Sequence, residues 1–313
     1  MVRIGIDVGG TGIQTGVVSS SGEILAEESI VTLTDIPFAD QIVRMTSSVK
    51  SVLRTAGLTE DDVESVGVGI PGIASRETGE VIKCTNMGWS HVPFRAEWDK
   101  SFPKTVLIEN DANVAALAES VAGVSAGSSS SVFITLGTGI GSGIIIDGKI
   151  WTGFHGIGGE LGHTIMDLDG VPCTCGNHGC LERYCSATAL IRMAREAVEG
   201  CPDCRILKEA GGDPGGINAR IVIDLAREND PMAVSLYKRW ISYLGQAIAN
   251  VANFLDPEII VLGGGVSKAG GFLLDAVTKE FPKYVLFRDQ LLPEIKLAVL
   301  GAKAGIIGAA MLS

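Results

Sequence analysis

The sequence lacks an excess of positive charge, because 36 acidic side chains outnumber 25 basic ones and the net charge is -11. A broad cationic surface for a phosphate backbone is therefore not expected, which disfavours nucleic acid as a partner. The sequence also lacks a run of about 18 apolar residues that would span a bilayer. Its first residues form a strand-like pattern without the apolar core of a signal peptide. We expect a cytoplasmic protein with no membrane partner.

Two common nucleotide-binding signatures are absent. The Rossmann fingerprint G-x-G-x-x-G is missing from the turn after the first strand, which argues against a nicotinamide enzyme. The segment from Gly143 to Lys149 has the spacing of a P-loop, but Ile150 stands where a magnesium-binding Ser or Thr is required. We therefore predict a hairpin here and not a P-loop.

What the chain does contain is an internal repeat. The chain has 313 residues, which is long enough for two domains, and 46% of its side chains are hydrophobic, which is enough for a buried core. The segment from Gly10 to Val18 is echoed by Gly137 to Ile145, and each copy follows an apolar strand, Ile4 to Val8 or Val132 to Leu136. Each copy therefore predicts a strand, glycine turn, strand, turn and strand meander.

Glycine turns of this kind let backbone N–H groups approach an anion without a Cβ in the way. A single copy is compatible with an ordinary glycine-rich hairpin. Two matching copies favour a pair of turns that hold a polyphosphate.

Further along, helical spacing of apolar residues predicts a helix from Met232 to Leu255, which Asp256-Pro257 ends. A buried strand, Ile259 to Leu262, then runs into Gly263-Gly264-Gly265. Three residues without side chains would let a flat group lie against the backbone. The alternative is a helix-strand turn that needs small residues.

Asn110-Asp111 stands between a predicted strand, beginning at Thr105, and an Ala-rich helix. Asn and Asp are preferred N-cap residues, so capping alone is one interpretation. A carboxylate that follows a strand and faces phosphate-holding turns is also where a base for a substrate hydroxyl is needed.

The chain has seven cysteines, an odd number for a disulfide framework, and three of them lie between Cys173 and Cys180, which indicates metal binding in a reducing compartment. Cys173, Cys175 and Cys180 lie within eight residues, and His163 stands ten positions before Cys173. Together they would supply the four ligands of a closed tetrahedral zinc site. Such a zinc site would be structural and not catalytic, because protein side chains fill all four coordination positions and leave none for a water molecule. The alternative is that His163 is a buried histidine with ordinary partners.

A second pair, Cys201-Pro202-Asp203-Cys204, opens a segment rich in Gly, Asp and Pro that we predict to be a surface excursion. This Cys-x-x-Cys is compatible with redox activity or with half of a second metal site. No matching ligand pair stands nearby in the sequence, and we interpret the motif as structural.

The order of these motifs resembles the ROK family of repressors, open reading frames and kinases, over nearly the whole chain. The motifs are Asp7-Val8-Gly9-Gly10-Thr11, Glu109-Asn110-Asp111-Ala112-Asn113, Leu136-Gly137-Thr138-Gly139-Ile140-Gly141, Glu160-Leu161-Gly162-His163 and Cys173-x-Cys175-Gly176-x-x-Gly179-Cys180-Leu181-Glu182. The segment from Leu300 to Ala310 is similar to the family's helix that returns to pack on the N-terminal domain.

The resemblance implies a two-domain α/β fold of the actin/hexokinase (ribonuclease H-like) type, with an active-site cleft between the domains. We expect residues 1–118 with 301–313 to form a small domain, and residues 119–300 to form a large domain that carries the zinc motif. A homodimer or homotetramer would be typical of the family.

The resemblance also implies ATP-dependent phosphorylation of a hexose 6-hydroxyl, with Mg²⁺ as cofactor, structural Zn²⁺, and a place in glycolysis. Asp111 would be the general base. Sugar contacts are expected from Gly72, Asn86, Asn110, Glu160, His163 and Glu182. Phosphate, magnesium and adenosine contacts are expected from Asp7, Gly9, Gly10, Thr11, Gly12, Gly137, Thr138, Gly139, Gly141, Gly263, Gly264 and Gly265, with Asp7 near Mg²⁺. The zinc ligands would be His163, Cys173, Cys175 and Cys180.

One position departs from the family pattern. Many members carry Lys or another polar residue where this chain has Gly12, and Gly12 is reminiscent of polyphosphate-using glucokinases. Those typically lack the cysteine cluster, which favours ATP as donor.

Among sugars, glucose is the first choice because the cysteine motif resembles the glucokinase branch; N-acetylhexosamine and fructose are alternatives. A sugar-responsive repressor would need a helix-turn-helix segment before the first strand, and here that strand begins at Val2. A sugar-binding protein without catalysis is disfavoured because Asp111 and both glycine turns are intact.

Overall fold

The computed structural model describes residues 1–289 and 291–312. The strands are β1 (Val2–Val8), β2 (Gly12–Val18), β3 (Ile24–Val31), β4 (Val63–Ile70), β5 (Ile73–Ala74), β6 (Val81–Cys84), β7 (Trp89–Val92), β8 (Val106–Asn110), β9 (Ser130–Leu136), β10 (Ile140–Ile146), β11 (Lys149–Trp151), β12 (Ile259–Gly263) and β13 (Glu294–Leu297). The helices are α1 (Phe38–Thr55), α2 (Phe94–Trp98), α3 (Asp111–Ala122), α4 (Glu182–Cys185), α5 (Ala187–Val198), α6 (Arg205–Glu209), α7 (Ala219–Arg227), α8 (Pro231–Leu255), α9 (Gly271–Glu280) and α10 (Ala304–Ala310).

The chain divides into two compact units. The first contains residues 1–131 and 143–159 and the chain from Val299 onward, and the second contains residues 132–142 and 160–298. The sequence-based domain limits at 118 and 300 stay a prediction. None of the described helices is long and apolar enough to cross a membrane.

The first unit is built on a five-stranded sheet of order β3-β2-β1-β4-β8. β1 pairs antiparallel with β2 and β2 with β3, whereas β1, β4 and β8 run parallel. The predicted first meander is therefore confirmed. Helix α1 buries the apolar face that includes Ile42, Met45 and Val49 against this sheet.

The second five-stranded sheet has the order β11-β10-β9-β12-β13. It contains the second predicted meander, and the pairing of β10 with β11 confirms that the segment from Gly143 to Lys149 is a hairpin. Helix α8 confirms the helix predicted from Met232 to Leu255, with Asp230 as its N-cap and Pro231 in its first turn. The buried strand β12 follows it, also as predicted.

A third sheet, β5-β6-β7, was not predicted from the sequence. Its strands are two to four residues long, too short for alternation to stand out. Next to it lies a cluster of aromatic rings in edge-on and stacked contact, formed by Phe38, Trp89, Phe94, Trp98 and Phe102. These rings contribute to the core of the first unit.

The C-terminal helix α10 packs on β1, β4 and α3, all within the first unit. A row of glycines, Gly16, Gly5 and Gly67, crosses three neighbouring strands beneath it. A Cβ at Gly5 or Gly67 would overlap the α10 carbonyl oxygens of Ile306 or Ala309. The absence of side chains in this row is what lets the helix approach the sheet so closely.

Candidate functional site

In the first unit, the carboxyl ends of three parallel strands bring the predicted residues to one edge. Asp7 lies near the end of β1 and is paired with Gly69 of β4, and Gly69 is paired with Glu109 of β8. Because parallel strands end at the same edge of a sheet, the residues that follow them are neighbours. Asp7 and Asn110-Asp111 therefore belong to one edge of this sheet.

Asn110 acts as the N-cap of α3. Its Oδ1 accepts hydrogen bonds from the backbone N–H groups of Ala112, at 2.9 Å, and Asn113, at 3.4 Å. Its Nδ2 donates to the carbonyl oxygen of Gly72 at 3.1 Å. The capping interpretation is thus correct for Asn110, and the same side chain brings Gly72 to the site.

Asp111 is the first residue of α3 and is exposed. Its Oδ1 accepts a hydrogen bond from the backbone N–H of Ala112 at 2.8 Å. The N-terminus of a helix favours negative charge, since several N–H dipoles point toward it. The position suits a carboxylate that has to remain ionised and accessible.

Sequence reasoning gave no role to Glu109 and missed Arg76. Glu109 is 6% exposed and forms an ion pair with the Arg76 guanidinium. Its other oxygen accepts hydrogen bonds from Asn113 Nδ2 and from the backbone N–H of Asn110, both at 2.9 Å. Glu109 therefore fixes the strand-to-helix junction that presents Asp111. The sequence predicted that Glu109 lies at the end of a buried strand, whereas no pattern in the residues around Arg76 indicated its role.

The first glycine turn is closed by a hydrogen bond from the Gly9 N–H to the Gly12 carbonyl oxygen at 2.9 Å. Thr32, which follows β3, supports it: its hydroxyl donates to the Gly9 carbonyl at 2.7 Å and its N–H donates to the Thr11 carbonyl at 3.2 Å. Asn86 also belongs here, since its Nδ2 lies 4.0 Å from the position that a Cβ on Gly10 would take. Thr32 had no sequence signal.

Asp7 lies against α10. A Cβ on Gly305 would overlap the Asp7 carboxyl group, so the glycine leaves room for it. Burial raises the pKa of Asp7 above its usual value, because removal from water disfavours the ionised form. The partly buried Asp7 side chain offers carboxylate oxygens at this edge of the sheet, and oxygens are the ligands that Mg²⁺ prefers.

In the second unit, the other glycine turn is closed by a hydrogen bond from the Gly137 N–H to the Gly139 carbonyl at 3.1 Å. The Gly137 carbonyl accepts a hydrogen bond from Ala187, the first residue of α5, at 2.9 Å. Thr138 is exposed, and Gly141 lies in β10. A Cβ on Gly139 would overlap the Glu182 carboxylate, so Glu182 lies directly against this turn.

The three glycines after β12 lie beside the same turn. Gly264 has a φ of 81°, and a Cβ there would be 2.6 Å from the Leu136 carbonyl oxygen. Leu136 immediately precedes Gly137, so the two glycine segments are in contact. A Cβ on Gly263 would overlap the Phe133 ring, so close packing requires small residues at the first two positions, whereas Gly265 has nothing within 4 Å of the position of a Cβ.

The four predicted metal ligands come together in the second unit. The ligand atoms of His163, Cys173, Cys175 and Cys180 all lie within 4.8 Å of one another. Cys173 Sγ is 3.8 Å from His163 Nδ1, and the sulfurs of Cys175 and Cys180 are 3.5 Å apart. Ligand atoms on a tetrahedral zinc are separated by about 3.4 to 3.8 Å, given bond lengths of about 2.0 to 2.3 Å. The cluster therefore fits a metal ion of this kind.

The three thiols of the cluster differ in the direction of their pKa shifts. Burial raises the pKa of Cys173, and raises that of Cys180 to about 12. The backbone N–H of Asn177 lowers the pKa of exposed Cys175 to about 7. A bound cation would supply the charge that buried thiolates lack, because metal ligation favours the deprotonated form.

The predicted sugar-binding residues of the second unit adjoin this cluster. Glu160 is exposed and precedes a short 3-10 turn, and its carbonyl accepts a hydrogen bond from the His163 N–H at 3.1 Å. The Cys173 thiol donates to Glu182 Oε1 at 3.1 Å. Glu182 therefore contacts both the cysteine cluster and the Gly137–Gly139 turn.

Comparison with known proteins gives consistent matches over the full length. The ROK family model matches residues 3–313. A glucokinase of Halalkalibacterium halodurans is 37% identical over 97% of this chain and 92% of its own length.

Two solved structures are similar throughout. One is a ROK family glucokinase from Streptomyces griseus in complex with glucose and AMPPNP, 34% identical, with a TM-score of 0.82 over 99% of this chain and 98% of that one. The other is a ROK hexokinase from Thermus thermophilus, 31% identical, with a TM-score of 0.85 over 99% of this chain and 97% of that one. These matches confirm the predicted α/β fold of the actin/hexokinase-like class.

Proposed function

Because the chain belongs to the ROK family, we propose that it is a kinase that transfers phosphate from ATP to the 6-hydroxyl of glucose. The observation that carries this proposal is the strand-to-helix junction at Asn110-Asp111, where an exposed carboxylate stands at the edge that also holds Asp7. The glucokinase of H. halodurans and the S. griseus structure with glucose and AMPPNP support the choice of sugar and of nucleotide.

Asp111 is the proposed general base. A hydroxyl becomes a better nucleophile as its proton moves to a carboxylate within hydrogen-bonding distance. The N-terminus of α3 favours the ionised form of Asp111, and the Glu109–Arg76 pair holds the junction in place. Asn110, Gly72 and Asn86 are the proposed sugar contacts in the same unit.

The two glycine turns are the proposed phosphate sites. Catalysis of phosphoryl transfer depends mainly on positioning and on neutralising charge on the phosphate oxygens. Backbone N–H groups in turns 9–12 and 137–141 serve this purpose without side chains in the way. Mg²⁺ would be held at Asp7 and would neutralise phosphate charge, and Gly263, Gly264 and Gly265 would border the adenosine.

Zinc is the proposed metal of the cysteine cluster. When bound it supplies a structural crosslink, because four protein ligands leave no open position for a reacting water. His163, Cys173, Cys175 and Cys180 would hold it. Glu182 Oε1 lies 3.1 Å from Cys173 Sγ, and the backbone carbonyl of Glu160 accepts a hydrogen bond from the His163 N–H. This proximity supports the proposal that the cluster fixes the position of both residues and that their carboxylates bind the sugar.

Substitution of Asp111 by Asn tests the assignment of the base. The amide still accepts a hydrogen bond but cannot take a proton, so we expect turnover to fall about 100- to 10,000-fold while glucose binding is retained. The measurements are a coupled assay with MgATP and glucose, and calorimetric titration of glucose. Asp61→Asn, which changes another exposed carboxylate of the first unit, should have normal turnover.

An Asp111→Asn variant that keeps more than about half of the parent rate would contradict the role of Asp111. The sugar and the donor are tested separately on the parent protein, with a panel of hexoses and hexosamines and with inorganic polyphosphate in competition with ATP. Preference for an N-acetylhexosamine or fructose would replace glucose in the proposal. Preference for polyphosphate would make Gly12 the first residue to substitute.

We further propose that the enzyme acts in glycolysis in the cytoplasm, without nucleic-acid partners, as a homodimer or homotetramer. The acidic net charge of -11 supports the absence of nucleic-acid binding. Sedimentation of the purified protein measures the oligomeric state directly.

A further inference from the structure

The Cys-x-x-Cys motif at Cys201 and Cys204 forms a closed turn. The N–H of Cys204 donates to the Cys201 carbonyl at 3.1 Å, which is the hydrogen bond of a β-turn, and Pro202 occupies the second position, where its fixed φ is favoured. The first and fourth Cα atoms of a β-turn are less than about 7 Å apart. Disulfides span Cα separations of about 4.4 to 6.8 Å. The turn therefore holds both cysteines in the range that a disulfide requires.

The elements on either side hold this turn in place. The Cys201 N–H donates to the carbonyl of Val198, the last residue of α5, at 3.0 Å. Cys204 is the N-cap of α6, and its carbonyl accepts a hydrogen bond from Lys208 at 3.2 Å. Because the backbone is already ordered around both cysteines, closing the ring costs little further conformational entropy.

The other cysteines of the chain are either buried from solvent or part of the cluster with His163. Cys84 and Cys185 are buried, whereas Cys201 and Cys204 are each partly exposed and unbridged. In the described part of the chain, three or more metal-ligating side chains come together only at His163 and the three cysteines near it. A pair of thiols does not complete a tetrahedral site, so the second-metal interpretation of Cys201 and Cys204 lacks its other ligands.

We propose that Cys201 and Cys204 are a redox-active dithiol that closes reversibly to a disulfide, with hydrogen peroxide as the oxidant. One thiolate attacks a peroxide oxygen, giving a sulfenic acid and hydroxide. The sulfur of the second thiol then attacks the sulfenic sulfur, forming the S–S bond and releasing water once its proton is transferred. The two thiols lose two electrons and peroxide is reduced to two waters. A small dithiol reverses the reaction by exchange.

Trypsin cleavage places Cys201 and Cys204 on a peptide that contains no other cysteine, so their oxidation can be measured by itself. Cleavage after Arg195 and Arg205 releases the peptide from Glu196 to Arg205, which contains Cys201 and Cys204 and no other cysteine. The experiment exposes the intact protein to hydrogen peroxide at graded doses, blocks free thiols by alkylation under denaturing conditions, digests with trypsin and measures the peptide by mass spectrometry.

We expect peroxide to convert this peptide to a form about 2 Da lighter than the dithiol that takes up no alkylating reagent. Dithiothreitol should restore the uptake of two alkyl groups. The peptide that contains Cys185 serves as the buried control and should remain fully alkylated at the same dose.

The single variants test the order of events. In Cys204→Ser the sulfenic acid at Cys201 has no resolving partner, so a diketone reagent should trap it and higher oxides should accumulate. Cys201→Ser gives the reciprocal test. A peptide that keeps two alkylatable thiols at doses that oxidise exposed Cys175 would overturn the proposal. So would oxidation that joins two chains through this peptide, seen as a dimer on a non-reducing gel.

Discussion

Asp7 combines partial burial of a carboxyl group with a proposed role in magnesium binding. It lies at the end of β1 against the backbone of Gly305, in a position where burial raises its pKa. A folded-state pKa above the unfolded value means that folding is favoured while the group is protonated. This contribution is fully present below the unfolded pKa, near 3.8, and is lost as the pH rises through the folded pKa.

Asp7→Asn should therefore stabilise the protein at pH 7 in the absence of Mg²⁺ and nucleotide, because the amide removes the buried charge. The difference in Tm between variant and parent should shrink as the pH falls toward 4, where the parent carboxyl is protonated as well. Thermal unfolding across this pH range is the measurement. The same variant should lose affinity for MgATP if Asp7 holds the metal.

An Asp7→Asn variant that is less stable than the parent at pH 7, with an unchanged pH dependence, would show that the Asp7 carboxylate is not the source of this effect. Asp62→Asn provides a contrast, since the hydrogen bond from the Thr59 N–H lowers the pKa of that carboxyl. Its contribution to stability has the opposite sign: it is present above the unfolded pKa and is lost as the pH falls through the folded pKa.

At the level of elements, the packing of α10 on the first sheet depends on glycines and not on large apolar side chains. Gly5 and Gly67 are direct neighbours on β1 and β4, and α10 carbonyl oxygens occupy the space where their Cβ atoms would be. On its other side, Gly308 of α10 lies against the Val114 carbonyl of α3. The helix therefore fits between sheet and α3 only while these positions lack a Cβ.

Gly67→Ala should lower the free energy of unfolding by about 3 kcal/mol or more, because the added methyl overlaps backbone that cannot move without shifting α10. Gly271→Ala is the matched control, since it adds the same methyl group to α9 where nothing lies within 4 Å. We expect that control to be neutral or slightly stabilising, as Ala favours helix. Denaturant unfolding measures both.

Equal stability of the Gly67→Ala and Gly271→Ala variants would mean that α10 has room to move away from the sheet. Activity gives a second measurement on the Gly67→Ala variant. Asp7 contacts Gly305 of α10, so a shift of this helix should also alter the KM for MgATP.

At the level of the whole molecule, both units have buried apolar cores, and the second also contains a segment with little regular structure. The first is built around a large apolar cluster between its sheet, α1 and the aromatic rings. In the second, the region from Leu161 to Cys185 contains little regular structure beyond a 3-10 turn and the four-residue α4. A segment with few backbone ladders gains stability from a metal crosslink, because metal binding contributes directly to folding.

Chelation of the metal should therefore increase amide hydrogen exchange between residues 161 and 185 while β1 and β4 of the first unit keep their protection. Hydrogen-exchange mass spectrometry with metal analysis on the same samples is the measurement. Cys175→Ser should reproduce the pattern. Cys84→Ser, which changes a buried cysteine of the first unit outside the cluster, should keep its metal. Unchanged exchange after complete metal loss would contradict a stabilising role for the ion.

The sequence by itself determined the features that depend on residues close together in the chain. Both meanders, helix α8, strand β12 and the four-ligand cluster all follow from short periodicities and spacings, because hydrogen bonds and ligand geometry act over a few residues. Resemblance to the ROK family identified the fold class, which the comparisons confirm. The catalytic and binding roles of individual residues stay predictions.

Only the tertiary structure decided which distant residues support the site. Arg76 and Glu109 are 33 positions apart, and Thr32 lies 23 positions from the Gly9 carbonyl to which it donates. The glycine row beneath α10 likewise depends on distant residues, since Gly67 lies against Ala309 and Gly5 against Ile306 of that helix. No local pattern specifies such pairs, because these residues come together only when the sheets and helices have packed. The reason for a buried charge such as Glu109, or for a glycine such as Gly67, is the partner that it contacts in the folded protein.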